Sequence, residues 1–409
     1  MGGRGILFLP WLVTLCLCAA VGAWLMRDRQ ETTLPTATLE AADLLAATAD
    51  DLPEGPGASG ASGRFERADR PRAFVFPEDH GPHAGFRTEW WYFTGNLADR
   101  SGRRFGYQVT FFRTQLAPRV EPRAGSLAAA SMWMAHFTVS DVDGGEFHDF
   151  ERFARESLGI AAAASAPPAV RLQDWSAAFS ADGRSVRLAA REGAVELALE
   201  LESSKPPVLQ GEAGLSRKNA GAGNASYYYS VPRLATRGVL RLGDNRFEFA
   251  GDSWLDREWS SGALARDQVG WDWFALQLDD GTELMWYRLR HAPGADGAAP
   301  SDDPFDAGSI TARDGSVRRL VAGELAVEVE STWTSPRTGG VYPSAWRLRV
   351  PSSELELSVR PLLADQELSG TFRYWEGAVE VRGTRAGAPL AGRGYVELVG
   401  YARPGSTRH

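Results

Sequence analysis

The segment Trp254-Leu-Asp-Arg-Glu-Trp259 holds the residues best suited to chemistry in this 409-residue chain. Asp256 and Glu258 stand two apart, so a strand would turn both to one face. Two carboxyls held together oppose each other's ionisation, and one keeps its proton and can act as a general acid. Trp254 and Trp259 would strengthen that effect by desolvation. The same residues would also serve as a salt-bridged corner, with Arg257 and Arg266 close in sequence.

Other stretches could supply further acids or a ligand wall. Glu89 stands at the entrance of Thr88-Glu-Trp-Trp-Tyr-Phe-Thr-Gly-Asn-Leu97. On a strand, Glu89, Trp91 and Phe93 share one face, and Trp90, Tyr92 and Thr94 share the other. Neither face is polar, which predicts burial of both Trp90 and Trp91. A carboxylate in such a strand needs a partner or must stay neutral, and Arg87, Arg104 and Arg113 are within reach in sequence. Asp272 lies between Trp271 and Trp273. That suits an apolar cavity wall and, equally, a core strand with a buried hydrogen bond. The run Tyr227-Tyr228-Tyr229 joins apolar rings to polar tips and suits a pocket mouth, and Lys218 could neutralise a buried acid. Asp79-His80-Gly81-Pro82-His83 followed by Glu89 has a permissive spacing for a metal. Its glycine and proline make it a tight loop entering a strand, and no metal or other cofactor is expected. No G-x-S-x-G elbow, H-E-x-x-H or dinucleotide fingerprint occurs, so the sequence shows no equipment for serine-hydrolase or hydride-transfer chemistry.

The elements that must position these groups read as strands. Short alternating runs, such as 105–112, 194–201, 271–290 and 392–401, are broken by turn dipeptides, and helical periodicity is scarce. Many short strands with tight turns predict an all-β sandwich or barrel. Asp182-Gly183, Asp280-Gly281 and Asp314-Gly315 mark hairpins. The aromatic-led strand pair at 91–112 is echoed at 273–289, which hints at internal duplication. About 330 ordered residues fit two barrels of about 150 to 180 residues each.

Composition narrows the function classes. The chain is 44% hydrophobic and 23% charged, with a net charge of −8 and no acidic runs. That is globular and leaves no electrostatic footprint for nucleic acid. Both cysteines, Cys16 and Cys18, lie near the N-terminus. If that segment is removed or stays in a membrane, the folded part has no thiol for catalysis, disulfides or metal. Residues 5–26 form an uncharged apolar run flanked by Arg4, Arg27 and Arg29. It reads as a secretory signal or a membrane anchor, so export to the periplasm or beyond is expected.

The blocks DHGPH, FRTEWWYFTGNL, FGYQVTFFR, MAHFTVSD, LQGEAGLSRKN, NASYYYS, WLDREWSS, GWDWFALQLDDGTELMWYRLR, YPSAWRLRVP, YWEGAVEVRG and GRGYVELVGY together resemble the lipocalin-like AttH/CrtC family over residues 72–403. That family includes carotenoid 1,2-hydratases and a branch of predicted secreted hydrolases often linked with ABC-type exporters. The resemblance implies two tandem lipocalin-like antiparallel β-barrels. It places Asp256 on the acidic position of the family's WLDxEW block. The sequence departs at Arg257, where many members carry histidine, and an arginine cannot shuttle a proton at ordinary pH.

The expected organisation is a signal or anchor at 1–26, a flexible linker at 27–70, and barrel domains at 71–255 and 256–405. The expected function is binding of a hydrophobic lipid or isoprenoid, with hydration or hydrolysis at an interdomain carboxylate cluster of Asp256, Glu258, Glu89 and Asp272. Trp90, Trp91, Tyr92, His136, Lys218, Tyr228, Trp254, Trp259, Trp271, Trp273 and Tyr287 would wall the ligand. A carotenoid 1,2-hydratase and a non-enzymatic partner of an ABC-type exporter are the alternatives. A monomer is expected.

Overall fold

Period-two alternation builds two antiparallel meanders. The computed structural model describes residues 64–118, 131–156, 159–262, 264–265, 267–291 and 303–402, together with the backbone of Leu39–Glu40. The expected signal or anchor and most of the expected linker lie outside these residues. Among the described residues the helical turns are two short 3-10 pieces, Glu78–His80 and Pro351–Ser353, and no helix is long and apolar enough to cross a membrane.

The first meander comprises β1 (Thr88–Asp99), β2 (Arg104–Gln115), β3 (Ser131–Asp141), β4 (Glu146–Arg155), β5 (Ala161–Ser165), β6 (Pro168–Leu172), β7 (Trp175–Phe179), β8 (Ser185–Glu192), β9 (Val195–Ser203), β10 (Ala225–Leu242) and β11 (Asn245–Ser260). The second comprises β12 (Gln268–Leu278), β13 (Glu283–His291), β14 (Ala307–Thr311), β15 (Val317–Val321), β16 (Ala326–Thr334), β17 (Val341–Val350), β18 (Leu355–Pro361), β19 (Trp375–Arg385) and β20 (Ala388–Leu398). The three Asp-Gly steps fall in hairpin loops, and Gly183, Gly281 and Gly315 take the positive φ that those loops require.

Both sheets follow one plan. Sequence neighbours pair except at one gap, and the first strand pairs with the last, β1 with β11 and β12 with β20. Each sheet is open between its fourth and fifth strands. The first is a nearly closed barrel and the second a half-barrel, as expected of an all-β, two-barrel chain. The hairpins that hinted at duplication hold equivalent places, β1–β2 in one sheet and β12–β13 in the other.

The barrel interiors are filled. Trp91, Phe93, Trp133, Trp175 and Trp259 belong to the first core, and Phe274, Trp286, Trp346 and Trp375 to the second. A third apolar cluster draws Tyr92, Tyr228 and Trp254 from the first sheet and Trp273, Tyr287 and Tyr374 from the second lobe. The outer faces of the two closing strand pairs therefore pack on each other. This is why β1 is aromatic on both sides. Trp91 is completely buried, whereas Trp90 is only partly so, because its face borders a cavity.

Two expected boundaries shift. Strand β11 stays in the first sheet to Ser260, paired on both sides, so the change of sheet falls between Ser260 and Gln268 rather than at 255/256. The linker ends before residue 70: Ala68 is buried in the first core, and Glu66 donates its backbone N–H to Gly85.

Candidate active site

Strand β11 divides its residues between two environments. Trp254, Asp256 and Glu258 point toward the second lobe, while Leu255, Arg257 and Trp259 point into the first barrel. A cavity of about 90 Å³ lies at this seam, enough for several waters. Trp90, Tyr92, Tyr228, Trp271, Trp273 and Tyr287 give it an aromatic wall, and Asp256, Glu258, Lys218, His136 and Glu397 are its polar members.

Asp256 is almost fully buried. Its Oδ1 accepts hydrogen bonds from Ser230 Oγ at 2.5 Å and Trp254 Nε1 at 2.7 Å, and its Oδ2 accepts one from Tyr228 at 2.6 Å. Oδ1 is thus saturated, and Oδ2 has a place left for a proton. Burial drives the carboxyl upward, the three donors pull it back, and the charge of Glu258 adds to the rise, leaving it at about 7. Glu258 lies two residues on but has a different environment. Lys218 Nζ is 3.2 Å away and Ser226 Oγ donates to it. Burial opposes the Lys218 charge, but the carboxylate of Glu258 and the ring oxygen of Tyr287 outweigh it and raise its pKa. The ammonium also sits 4.1 Å from the ring centre of Tyr287, a cation–π contact. Environment therefore splits the two acids, Asp256 toward the neutral form and Glu258 into an ion pair.

Two of the expected acids are elsewhere. Glu89 faces the interior of the first barrel, where Arg113 lies 2.5 Å from one oxygen and Arg257 3.0 Å from the other, and His83 donates its backbone N–H. Burial would raise its pKa, but Arg113, His83 and Arg257 hold it down at about 2. It is a charged anchor and not a proton donor. Asp272 alternates with Trp271 and Trp273 and so faces the other way, paired with Arg288 at 2.6 Å and accepting from Tyr401. Trp91 and Trp259 belong to the first core and do not wall the cavity; Trp254 stands behind the wall, bonded to Asp256 and edge-on to Trp273. Arg257, at the position that departs from the family pattern, stacks on Trp91 at 3.8 Å, away from the cavity. His83 stacks on Trp259, and among the described residues no group of His, Cys, Asp and Glu is placed to hold a metal ion.

The second lobe contributes acids that sequence reasoning missed. Glu397 on β20 lines the cavity, with Trp271 Nε1 donating to its Oε2 at 3.1 Å. Burial raises its pKa, the Trp271 bond opposes this, and Asp256 and Glu258 reinforce the rise, to about 7. Glu376 on β19 is completely buried behind it. It accepts from Tyr92 at 2.6 Å, and burial and the charge of Glu397 push it well above the usual carboxylate range. His136 is bridged between Tyr374 Oη, 2.7 Å, and Glu151, 3.1 Å. Contacts such as Tyr92 to Glu376 and Trp273 Nε1 to Tyr228 at 3.1 Å tie the two lobes across the site.

Fold and site together define a double lipocalin-like β-barrel protein with an aromatic, carboxyl-bearing cavity between its lobes. The chain belongs to the AttH-like family, whose model matches residues 67–401. A candidate AttH from Nitrosomonas europaea is similar at 36% identity, with 83% of this chain and 100% of that one covered and a TM-score of 0.72. Kievitone hydratase from Nectria haematococca shares the fold at 16% identity, with 83% and 97% covered and a TM-score of 0.61. No curated protein matches the sequence.

Proposed function

We propose that the interlobe cavity binds a neutral hydrophobic ligand of lipid or isoprenoid type and adds water to a carbon–carbon double bond in it. One observation carries this reading: Asp256 is held near pKa 7 in an aromatic cavity, with one oxygen free to carry a proton. Protonating an alkene needs a strong local donor, an apolar wall around the developing cation, and no redox step. Asp256 gives its Oδ2 proton to one alkene carbon. Water bonds to the other, and the proton that water sheds passes to a carboxylate on the wall. The aromatic faces of Trp90, Trp273 and Tyr228 stabilise the cationic stage. The name of the hydratase that shares the fold is consistent with this chemistry.

The test is incubation of the purified protein with acyclic isoprenoid alkenes in ¹⁸O-labelled water. The expected product is an alcohol carrying the label. Asp256→Asn should lower turnover by about 10²- to 10⁴-fold, the usual worth of a general acid, yet keep binding, read by quenching of tryptophan fluorescence. Equal turnover in variant and parent would remove Asp256 from the reaction. Failure of any apolar ligand to bind would remove the cavity's role altogether.

A further inference from the structure

The two lobes present equivalent residues to the cavity. Trp90-Trp-Tyr-Phe93 in β1 corresponds to Trp271-Asp-Trp-Phe274 in β12. Trp90 and Tyr92 face the cavity in one, Trp271 and Trp273 in the other, and Phe93 and Phe274 enter their own barrel cores. Tyr92 is paired in register with Asp256 on the closing strand β11. Trp273 is paired with Glu397 on the closing strand β20. Glu397 is therefore the second lobe's counterpart of Asp256. One strand further in, Asp256 faces Ser230, whereas Glu397 faces Glu376.

That last difference matters. Directly opposed residues on antiparallel strands send their side chains to the same face, with Cβ atoms about 4.5–5.5 Å apart. Glu376 and Glu397 are such a pair. Neither forms an ion pair with a cation among the described residues, whereas Glu258 has Lys218. Oε1 of Glu376 is taken by Tyr92, and its buried Oε2 has no hydrogen-bond partner among the described residues. Two buried, opposed carboxyls without a cation oppose each other's ionisation, so at least one of them keeps its proton at neutral pH. The surrounding titratable groups do not change this. Glu258, and Asp256 once ionised, add negative charge across the cavity, and Lys218 is committed to Glu258. Burial holds Tyr92, Tyr374 and Tyr395 in their neutral forms, and His136 is engaged with Glu151.

We infer that Glu397, sharing a single proton with the positioning residue Glu376, is the cavity's second acid–base group and takes up the proton that the added water loses. Glu258 is the weaker choice, being neutralised by Lys218 and hydrogen-bonded to Ser226. The steps balance. Asp256 loses a proton to carbon, the water oxygen bonds to the neighbouring carbon, Glu397 gains the water's proton, and solvent takes that proton from Glu397 and returns one to Asp256. The catalytic role rests on the proposed hydration; the shared proton does not.

The experiment therefore has two readouts. Infrared titration of the ligand-free protein follows the stretching bands of protonated carboxyls in the parent, Glu376→Gln and Glu397→Gln. The parent should keep one carboxyl protonated well above pH 7. In each variant the surviving member should titrate lower by about one pH unit or more, because its like-charged neighbour is gone. The glutamines keep size and hydrogen bonding, and circular dichroism confirms folding. Unmoved titrations in both variants, or two ionised carboxylates in the parent at neutral pH, would overturn the shared proton. Where hydration is observed, Glu397→Gln should lower kcat by about 10²- to 10⁴-fold and abolish the acidic limb of its pH profile. Glu376→Gln should shift that limb while sparing most of the rate. Parent-like kcat in Glu397→Gln beside an inactive Asp256→Asn would overturn the catalytic role. No turnover by the parent, with infrared titrations as expected, would sink the hydratase reading and leave the shared proton standing.

Discussion

The substitution Asp256→Asn should change how folding stability depends on pH. The carboxyl titrates at 3.8 in an unfolded chain and at about 7 in the folded protein. Below pH 3.8 it is protonated in both states, and burial carries no charge penalty. As pH rises, the unfolded chain releases the proton while the folded protein keeps it. Stability then falls by about 1.4 kcal/mol per pH unit until the folded carboxyl ionises at about 7, and the loss stays constant above that. Three units make about 4 kcal/mol. Asparagine does not titrate, so the stability of the variant relative to the parent should climb by about 4 kcal/mol between about pH 4 and about pH 7. Part of Glu397's own rise comes from Asp256, and losing that part acts in the same direction. Urea unfolding at a series of pH values gives both curves. A difference constant within about 1 kcal/mol over that range would mean that Asp256 ionises like an ordinary carboxyl, and its role as proton donor would fall with it.

Other outcomes follow from the same geometry. Glu89→Ala leaves Arg113 and Arg257 buried without their shared partner, so thermal unfolding should show a loss of about 3–5 kcal/mol. Affinity for an apolar ligand, measured below the melting range, should be unchanged, since Glu89 does not reach the cavity. Lys218→Met strands Glu258 and should cost a similar amount; adding Glu258→Gln should recover most of it, and additive losses in that double-mutant cycle would disprove the pairing. Because Asp256 and Glu397 both gain charge near pH 7, retinol should gain over retinoate as pH rises from about 6 to about 8. A constant affinity ratio in fluorescence titrations would show that neither acid meets the ligand.

Much of the scaffold was legible in local sequence. Alternation gave strands, Asp-Gly steps gave hairpins, and the repeated aromatic hairpin pointed to two similar sheets. The shared face of Asp256 and Glu258 follows from spacing alone. What spacing does not tell is which face meets which neighbour. Glu89 and Asp272 looked as favourable as Asp256, but their environments are set by Arg113, Arg257, Arg288 and Tyr401, which only the tertiary fold brings near. Glu397 escaped notice because Tyr395-Val-Glu-Leu398 reads as an alternating strand with its polar side in water. Here that side meets the other lobe. Aligning the closing strands of the two halves, and not only their opening hairpins, would have set Glu397 beside Asp256.

That both sheets close first strand onto last, and both stay open after the fourth, has a consequence for ancestry. A single lobe of this plan, docked on a copy of itself through its closing strands, would bring two identical acids to one seam. Symmetry would force them to share one acidity, and neither could specialise as donor or acceptor. Joining the copies in one chain removes that constraint. One acid can be surrounded by hydroxyl and indole donors, as at Ser230, Tyr228 and Trp254, and the other set against a second glutamate. In a tandem chain the two ends of the cavity are thus distinguishable, and under the proposed hydration a substrate would have only one productive orientation.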